Sequence, residues 1–169
     1  MRRSSRSARL RSVTSFDAIS STQSKRYRYT IYTDRLRRVR DIRYCWHRPG
    51  RLNLTAMQAA AAKLLGRQDF KSFAAAADQR ESSVRTILTC DVIDDHPWIH
   101  VDIRADGFLY NMVRNIVGTL VAVGSGKLQA TEISAILASK DRSLAPATAP
   151  PHGLFLVRVN YPPRQLHKD

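Results

Sequence analysis

The sequence predicts an α+β fold in which an antiparallel sheet is covered on one face by helices. Three observations carry this expectation. Tyr27-Arg28-Tyr29-Thr30-Ile31-Tyr32 alternates large apolar bodies with polar groups at period two, the mark of a half-buried strand. Two strand-like runs flank Asp94-Asp95-His96-Pro97, which reads as a hairpin turn. The run from Phe108 to Val123 is apolar on most sides and reads as a central helix. Hairpin-joined strands with helices between them give one sheet with its helices on one face.

Taken in chain order, residues 1–12 are basic and low in complexity and read as a disordered lead-in, and the folded domain is expected over 13–163. After the first strand, a second is predicted from Ile42 to Trp46. Pro49-Gly50 makes a turn, and Asn53 or Thr55 can cap a helix with Met57, Ala60, Ala61, Leu64 and Leu65 on its apolar face, ending at Gly66. Residues 67–85 show no period that assigns them. Thr86–Ile93 and Trp98–Arg104 form the hairpin. In its second strand Ile99, Val101 and Ile103 face inward, while His100, Asp102 and Arg104 face outward. A short helix starts near Thr131, with Ile133, Ile136 and Leu137 inward, and stops before Asp141. A Pro-rich loop (Pro146, Pro150, Pro151) leads to a last strand, Leu154–Tyr161, and 164–169 is a polar tail.

The chain has 169 residues, a hydrophobic fraction of 43%, and 28 Lys and Arg against 14 Asp and Glu, so its formal charge is +14. That is enough apolar material for one core. The surplus charge costs self-repulsion and points to a polyanionic partner: RNA, DNA or an anionic membrane surface, with a merely solvated basic surface as the plain alternative. Cys45 and Cys90 form no metal-ligand or disulfide pattern, which fits a reducing cytoplasm. The Arg-rich start has no apolar core segment of a secretory signal, and the Phe108–Val123 stretch is interrupted by Asn111, Arg114 and Asn115 and is too short for a bilayer. Five separate histidines, and the lack of a GxSxG, HExxH or phosphate-cradling glycine motif, leave nucleophilic serine and metal chemistry unsupported.

Two groups stand out as candidate functional residues. Arg114 lies on the apolar helix, so its guanidinium either meets a carboxylate or phosphate or snorkels to the helix edge. Tyr27, Tyr29 and Tyr32 interleave with Lys25, Arg26 and Arg28, a pattern that can hold unstacked bases or can equally be core at period two. Asp17, Asp69, Asp106 and Asp141 carry no local mark of a nucleophile and read as turn, cap or surface residues.

The run Phe108-Leu109-Tyr110-Asn111-Met112-Val113-Arg114-Asn115-Ile116-Val117-Gly118 is followed by Lys140-Asp141-Arg142, Thr148-Ala149-Pro150, Gly153-Leu154 and Val159-Asn160-Tyr161-Pro162. Phe16-Asp17-Ala18, Lys25-Arg26-Tyr27-Arg28-Tyr29, Gly66 to Phe73 and Val84-Arg85-Thr86-Ile87 precede it in order. Together these segments resemble the C-terminal half of the TruA-type tRNA pseudouridine synthases, over roughly 13–163. The resemblance implies one half of a pseudouridine synthase fold, whose two similar halves share a continuous sheet with the active cleft between them. It implies an isomerase that detaches uracil from ribose and rejoins it through carbon 5 in the anticodon stem-loop of tRNA, without cofactor or metal. By the same resemblance Tyr27 stacks on the target base and Arg114 pairs with the attacking aspartate; Lys25, Arg26 and Arg28, interleaved with the tyrosines, are the RNA-binding candidates. The full-length family works as a homodimer. The family's aspartate sits in a GRTDAGVHA-like segment that these 169 residues do not contain, and Ile19 stands where the family has an arginine. A separate aspartate-bearing half is therefore expected as a partner, and the chain alone is expected to be inactive. The alternative is a non-catalytic basic RNA-binding module derived from the synthase.

Overall fold

In the computed structural model, which describes residues 21–36, 39–41 and 43–162, alternation along β1 (Ser24–Tyr32) sorts its side chains onto two faces. Tyr29 and Ile31 are fully buried beneath the helices, whereas Arg26, Arg28 and Thr30 occupy the opposite face. β2 is Trp46–His47, β3 Gly66–Asp69, β4 Val84–Asp95, β5 Trp98–Ala105 and β6 Leu154–Asn160. The order across the sheet is β3-β4-β5-β1, and the far side of β1 is shared by β6 along Ser24–Tyr29 and by β2 at Ile31 and Tyr32. The expected antiparallel sheet forms, with one exception among the described pairings, the two-residue parallel β1–β2 contact at that corner.

The helices α1 (Leu54–Ala62), α2 (Met112–Gly124) and α3 (Glu132–Ser139) supply the rest of the core. Asn53 caps α1 through its side-chain oxygen, which accepts from the Ala56 amide at 3.0 Å. The helix stops at Ala62, short of the expected Gly66. The Leu64 and Leu65 amides fall back on carbonyls three residues earlier, and Gly66, at φ +89°, turns the chain into β3. That strand lies in the stretch the sequence left unassigned. Its residues Gly66-Arg67-Gln68-Asp69 form an edge with no apolar alternation to reveal it. The second strand is displaced as well. It pairs at Trp46–His47, while Tyr44 N–H and Cys45 Sγ both turn back to the Asp41 carbonyl; Ile42 lies outside the described residues.

The hairpin forms as expected, with β4 extended to Asp95 and β5 to Ala105. Ile99, Val101 and Ile103 enter the core, but Asp102 does not face water as expected: it is only 2% exposed. α2 begins at Met112 rather than Phe108 because Asn111 adopts the left-handed region at φ +59°, which ends any helical continuity from the preceding turn. Apart from Arg114 and Ala122, every residue of α2 is buried. The basic lead-in and the polar tail of the sequence reading lie outside the described residues, as do Phe16, Asp17, Ala18 and Ile19.

Candidate active site

The first turn of α2 sets the position of Arg114. Asn111 tolerates its left-handed backbone, and its side-chain oxygen accepts from Arg114 Nη1 at 3.0 Å. Arg114 Nε donates to the Ala149 carbonyl at 2.7 Å, and the Ala149 amide returns a bond to the Arg114 carbonyl at 3.1 Å. The guanidinium is thus half-buried and held by two neutral acceptors. Among the described residues no carboxylate pairs with it.

Tyr29 links this helix turn to the sheet. Its hydroxyl donates to the Pro150 carbonyl at 2.7 Å, the residue next to Arg114's acceptor. Burial drives its phenol well above the ordinary tyrosine value, and the Arg114 charge acts in the opposite sense without overcoming that, so Tyr29 is a neutral hydrogen-bond donor. Gly153 allows this packing: a Cβ there would come within 2.7 Å of the Tyr29 ring. Tyr27, two residues earlier on the same face of β1, is half-buried and meets Phe108 edge to face at 5.1 Å. The chain runs from Phe108 through Asn111 to Arg114. The structure therefore brings Tyr27 and Arg114 to one side of the sheet, joined by Phe108 and Asn111 on one path and by Tyr29 and the 149–150 carbonyls on the other.

Arg26 and Arg28 are not brought to that side. Both grip Asp102 on the opposite face: Arg28 in a two-pronged pair at 2.7 and 2.9 Å, and Arg26 through Nη2 to the same carboxylate. Burial tends to raise the Asp102 carboxyl, but the Arg28 and Arg26 hydrogen bonds and charges outweigh it and hold it below the usual carboxylate range. Lys25 alone of the three basic candidates alternates onto the Tyr27 face, where it is half-buried. Arg26 lies in register between Arg104 and Arg158, forming a row of arginines across the open face.

The other singled-out carboxylates have local roles. Asp69 accepts from Ser83 Oγ and from the Lys71 amide and pairs with Lys140 at 3.0 Å, Asp106 accepts from the Thr86 amide, and Asp141 caps the turn at Arg142–Leu144. A hollow of about 770 Å³ lined by Thr33, Asp34, Arg51 and His96 opens at the far end of β1 and contains none of the site residues. Among the described residues no cluster of three His, Cys, Asp or Glu side chains could hold a metal ion, and no helix is long and apolar enough to cross a membrane. Sequence reasoning passed over Asn111, Asn115 and Thr148. The signal for Asn111 was an asparagine directly ahead of the helix, a residue suited to the left-handed region.

Fold and site thus define an α+β domain that presents, on one side of its sheet, a phenol and a guanidinium with no carboxylate partner among the described residues. A family model described as tRNA pseudouridine synthase matches residues 60–162. The chain is 43% identical over 147 residues to the tRNA pseudouridine synthase A of Thermoanaerobacter sp. (strain X514), covering 87% of this chain and 60% of that protein. It is 45% identical over 147 residues to the synthase of the same name from Geobacillus kaustophilus (86% and 57%), and 42% identical over 146 residues to that of Bacillus subtilis (86% and 59%). The chain belongs to the tRNA pseudouridine synthase family, and it spans about 60% of the length of these curated relatives.

Proposed function

We propose that this chain supplies one wall of the active cleft of a cytoplasmic tRNA pseudouridine synthase that isomerises uridines in the anticodon stem-loop. Arg114 is the pairing partner of the attacking aspartate, and Tyr27 is the residue that stacks on the target uracil and assists proton removal at carbon 5. The observation that carries this reading is the half-buried Arg114 guanidinium, fixed by the Ala149 carbonyl and the Asn111 side chain but matched by no carboxylate among the described residues. A cation placed there lowers the proton affinity of a carboxylate brought to it, keeping that carboxylate ionised and nucleophilic, and the fork of the guanidinium orients it. The carboxylate comes from polypeptide beyond these 169 residues. Among the described residues β6 pairs with β1 alone, which supports the docking of a further strand on its other edge. The homodimer of the full-length family, and RNA contacts by Lys25, belong to the same reading. Arg26 and Arg28, turned to the other face, could meet RNA only away from Tyr27.

The test is pseudouridine formation in an unmodified tRNA transcript. The 169 residues alone are expected to give none, because the covalent step lacks its nucleophile. Supplemented with a polypeptide that bears the family's aspartate segment, they are expected to give product. Product from the chain alone contradicts the missing-nucleophile account; none from the supplemented chain, with tRNA still bound, supports a binding module instead.

A further inference from the structure

The segment from Ala145 to Pro150 lies along α2 in a fixed register. Ala147 passes over Gly118, where a Cβ would stand 2.0 Å from the Ala147 carbonyl oxygen. Thr148 meets Asn115, Ala149 meets Arg114, and Pro150 meets Tyr29. The midpoint is a closed triangle of hydrogen bonds. Thr148 Oγ1 donates to Asn115 Oδ1 at 2.6 Å, while Arg142 Nη2 donates to both, at 2.9 Å to Thr148 and 3.1 Å to Asn115. Asn115 is buried, and its remaining amide hydrogen bond goes to the Phe73 carbonyl at 2.7 Å. Arg142 Nη1 closes the strap on itself through the Ala145 carbonyl at 2.8 Å. Pro146 and Pro150 restrict the backbone on either side.

We propose that Thr148 is a positioning residue: with Asn115 and Arg142 it clamps the 145–150 strap to α2, and thereby fixes the Ala149 carbonyl that orients the Arg114 guanidinium. The inference rests on the reading of Arg114 as the aspartate's partner, and it adds the device that aims it. Arg114 takes no direction from a charged partner among the described residues, so its geometry depends on Ala149 and Asn111. Ala149 is held on its strap one residue from the clamp. Loss of the Thr148 hydroxyl removes the middle contact while Gly118 and Tyr29 still seat the strap loosely. A misaimed guanidinium weakens stabilisation of the reacting carboxylate without altering the surface that binds RNA.

Thr148→Val keeps the side-chain shape and deletes the hydroxyl. Its first readout is the solvent exchange of the Arg114 Nε proton by nitrogen-15 NMR on the full chain, with the signal assigned through Arg114→Lys. Exchange is expected to quicken at least tenfold in Thr148→Val and in Arg142→Met, and to return near the starting rate in Thr148→Ser. Unchanged exchange in both variants overturns the clamp. The second readout is pseudouridine formation by the supplemented chain: kcat is expected to fall about tenfold in Thr148→Val with KM within twofold, and to recover in Thr148→Ser. If Arg114→Lys abolishes formation while Thr148→Val leaves kcat intact, the positioning role fails and the catalytic reading stands. If Arg114→Lys itself leaves formation intact, the catalytic reading fails and the positioning role falls with it.

Discussion

Asp102 shows how a single carboxylate can be read wrongly from strand alternation. It points to the face opposite the helices, as its position in β5 requires, yet Arg26 and Arg28 fold over it and leave it 2% exposed. The arginines keep 44% and 39% of their own side-chain surface in water, so the pair is solvent-screened on one side and its worth is moderate. Asp102→Asn is expected to cost about 1–2 kcal/mol at neutral pH, since charged hydrogen bonds are replaced by weaker ones in the same geometry. The pH dependence has a definite sign. A carboxyl whose folded pKa lies below its unfolded value stabilises the fold fully above the unfolded value, about 3.9, and the contribution is lost as pH falls through the folded one. Urea melts at pH 7 and pH 3 should therefore show a gap between parent and variant that narrows in acid; a gap of the same size at both pH values would assign the effect to packing. The same contact explains why only part of the site was legible. Tyr27 and Arg114 could be named from the motifs that carry them, but which face Arg26 and Arg28 take, and what they bind, depends on the β1–β5 register, which aligns Arg28 with Asp102.

At the scale of the element, α2 decides the architecture. Its apolar content made it visible in the sequence, and burying a Val, Leu or Ile side chain fully contributes about 1.5–3 kcal/mol each. Its start carried one local cue, Asn111, whose left-handed turn is held by tertiary contacts: its side-chain oxygen accepts from Arg114, and the neighbouring Tyr110 amide donates to Asp78. Edge elements were legible least. β3 and β2 have no repeating apolar face and exist through pairing with β4 and β1. In an isolated helix Ala would gain about 0.8–1.0 kcal/mol over Gly. At Gly118 the added Cβ would lie 2.0 Å from the Ala147 carbonyl oxygen, a backbone atom that cannot rotate away. Overpacking costs about 1–3 kcal/mol or more, so Gly118→Ala is expected to lower the unfolding midpoint and shift the strap over Arg114. A thermal melt that rises instead would mean the 145–150 strap is not seated as described.

For the whole molecule, the formal charge of +14 bears on the proposed tRNA partner, because cationic surfaces bind polyanions through counterion release. With about six phosphate contacts, tRNA affinity is expected to fall with salt at a log–log slope of roughly −4 to −5. Filter binding between low and moderate salt measures it, and a flat response would remove RNA as the partner of this surface. The class of the fold and the helix-on-sheet arrangement were readable because alternation and apolar runs are local. That Tyr27 and Arg114 share one side of the sheet rested on resemblance alone, since the contacts between them run through Phe108, Asn111, Tyr29 and the 149–150 carbonyls, which are distant in sequence from Tyr27 or set by tertiary packing. In the proposed mechanism these two side chains serve an aspartate carried by other polypeptide. The direct measurement is single-turnover pseudouridine formation by the supplemented chain, comparing the parent with Tyr27→Phe and Arg114→Lys at saturating tRNA. A drop of roughly a hundredfold or more in both variants, with tRNA affinity within about twofold, is the expected result. Full turnover in either variant, or loss of tRNA binding that accounts for the drop, would contradict it.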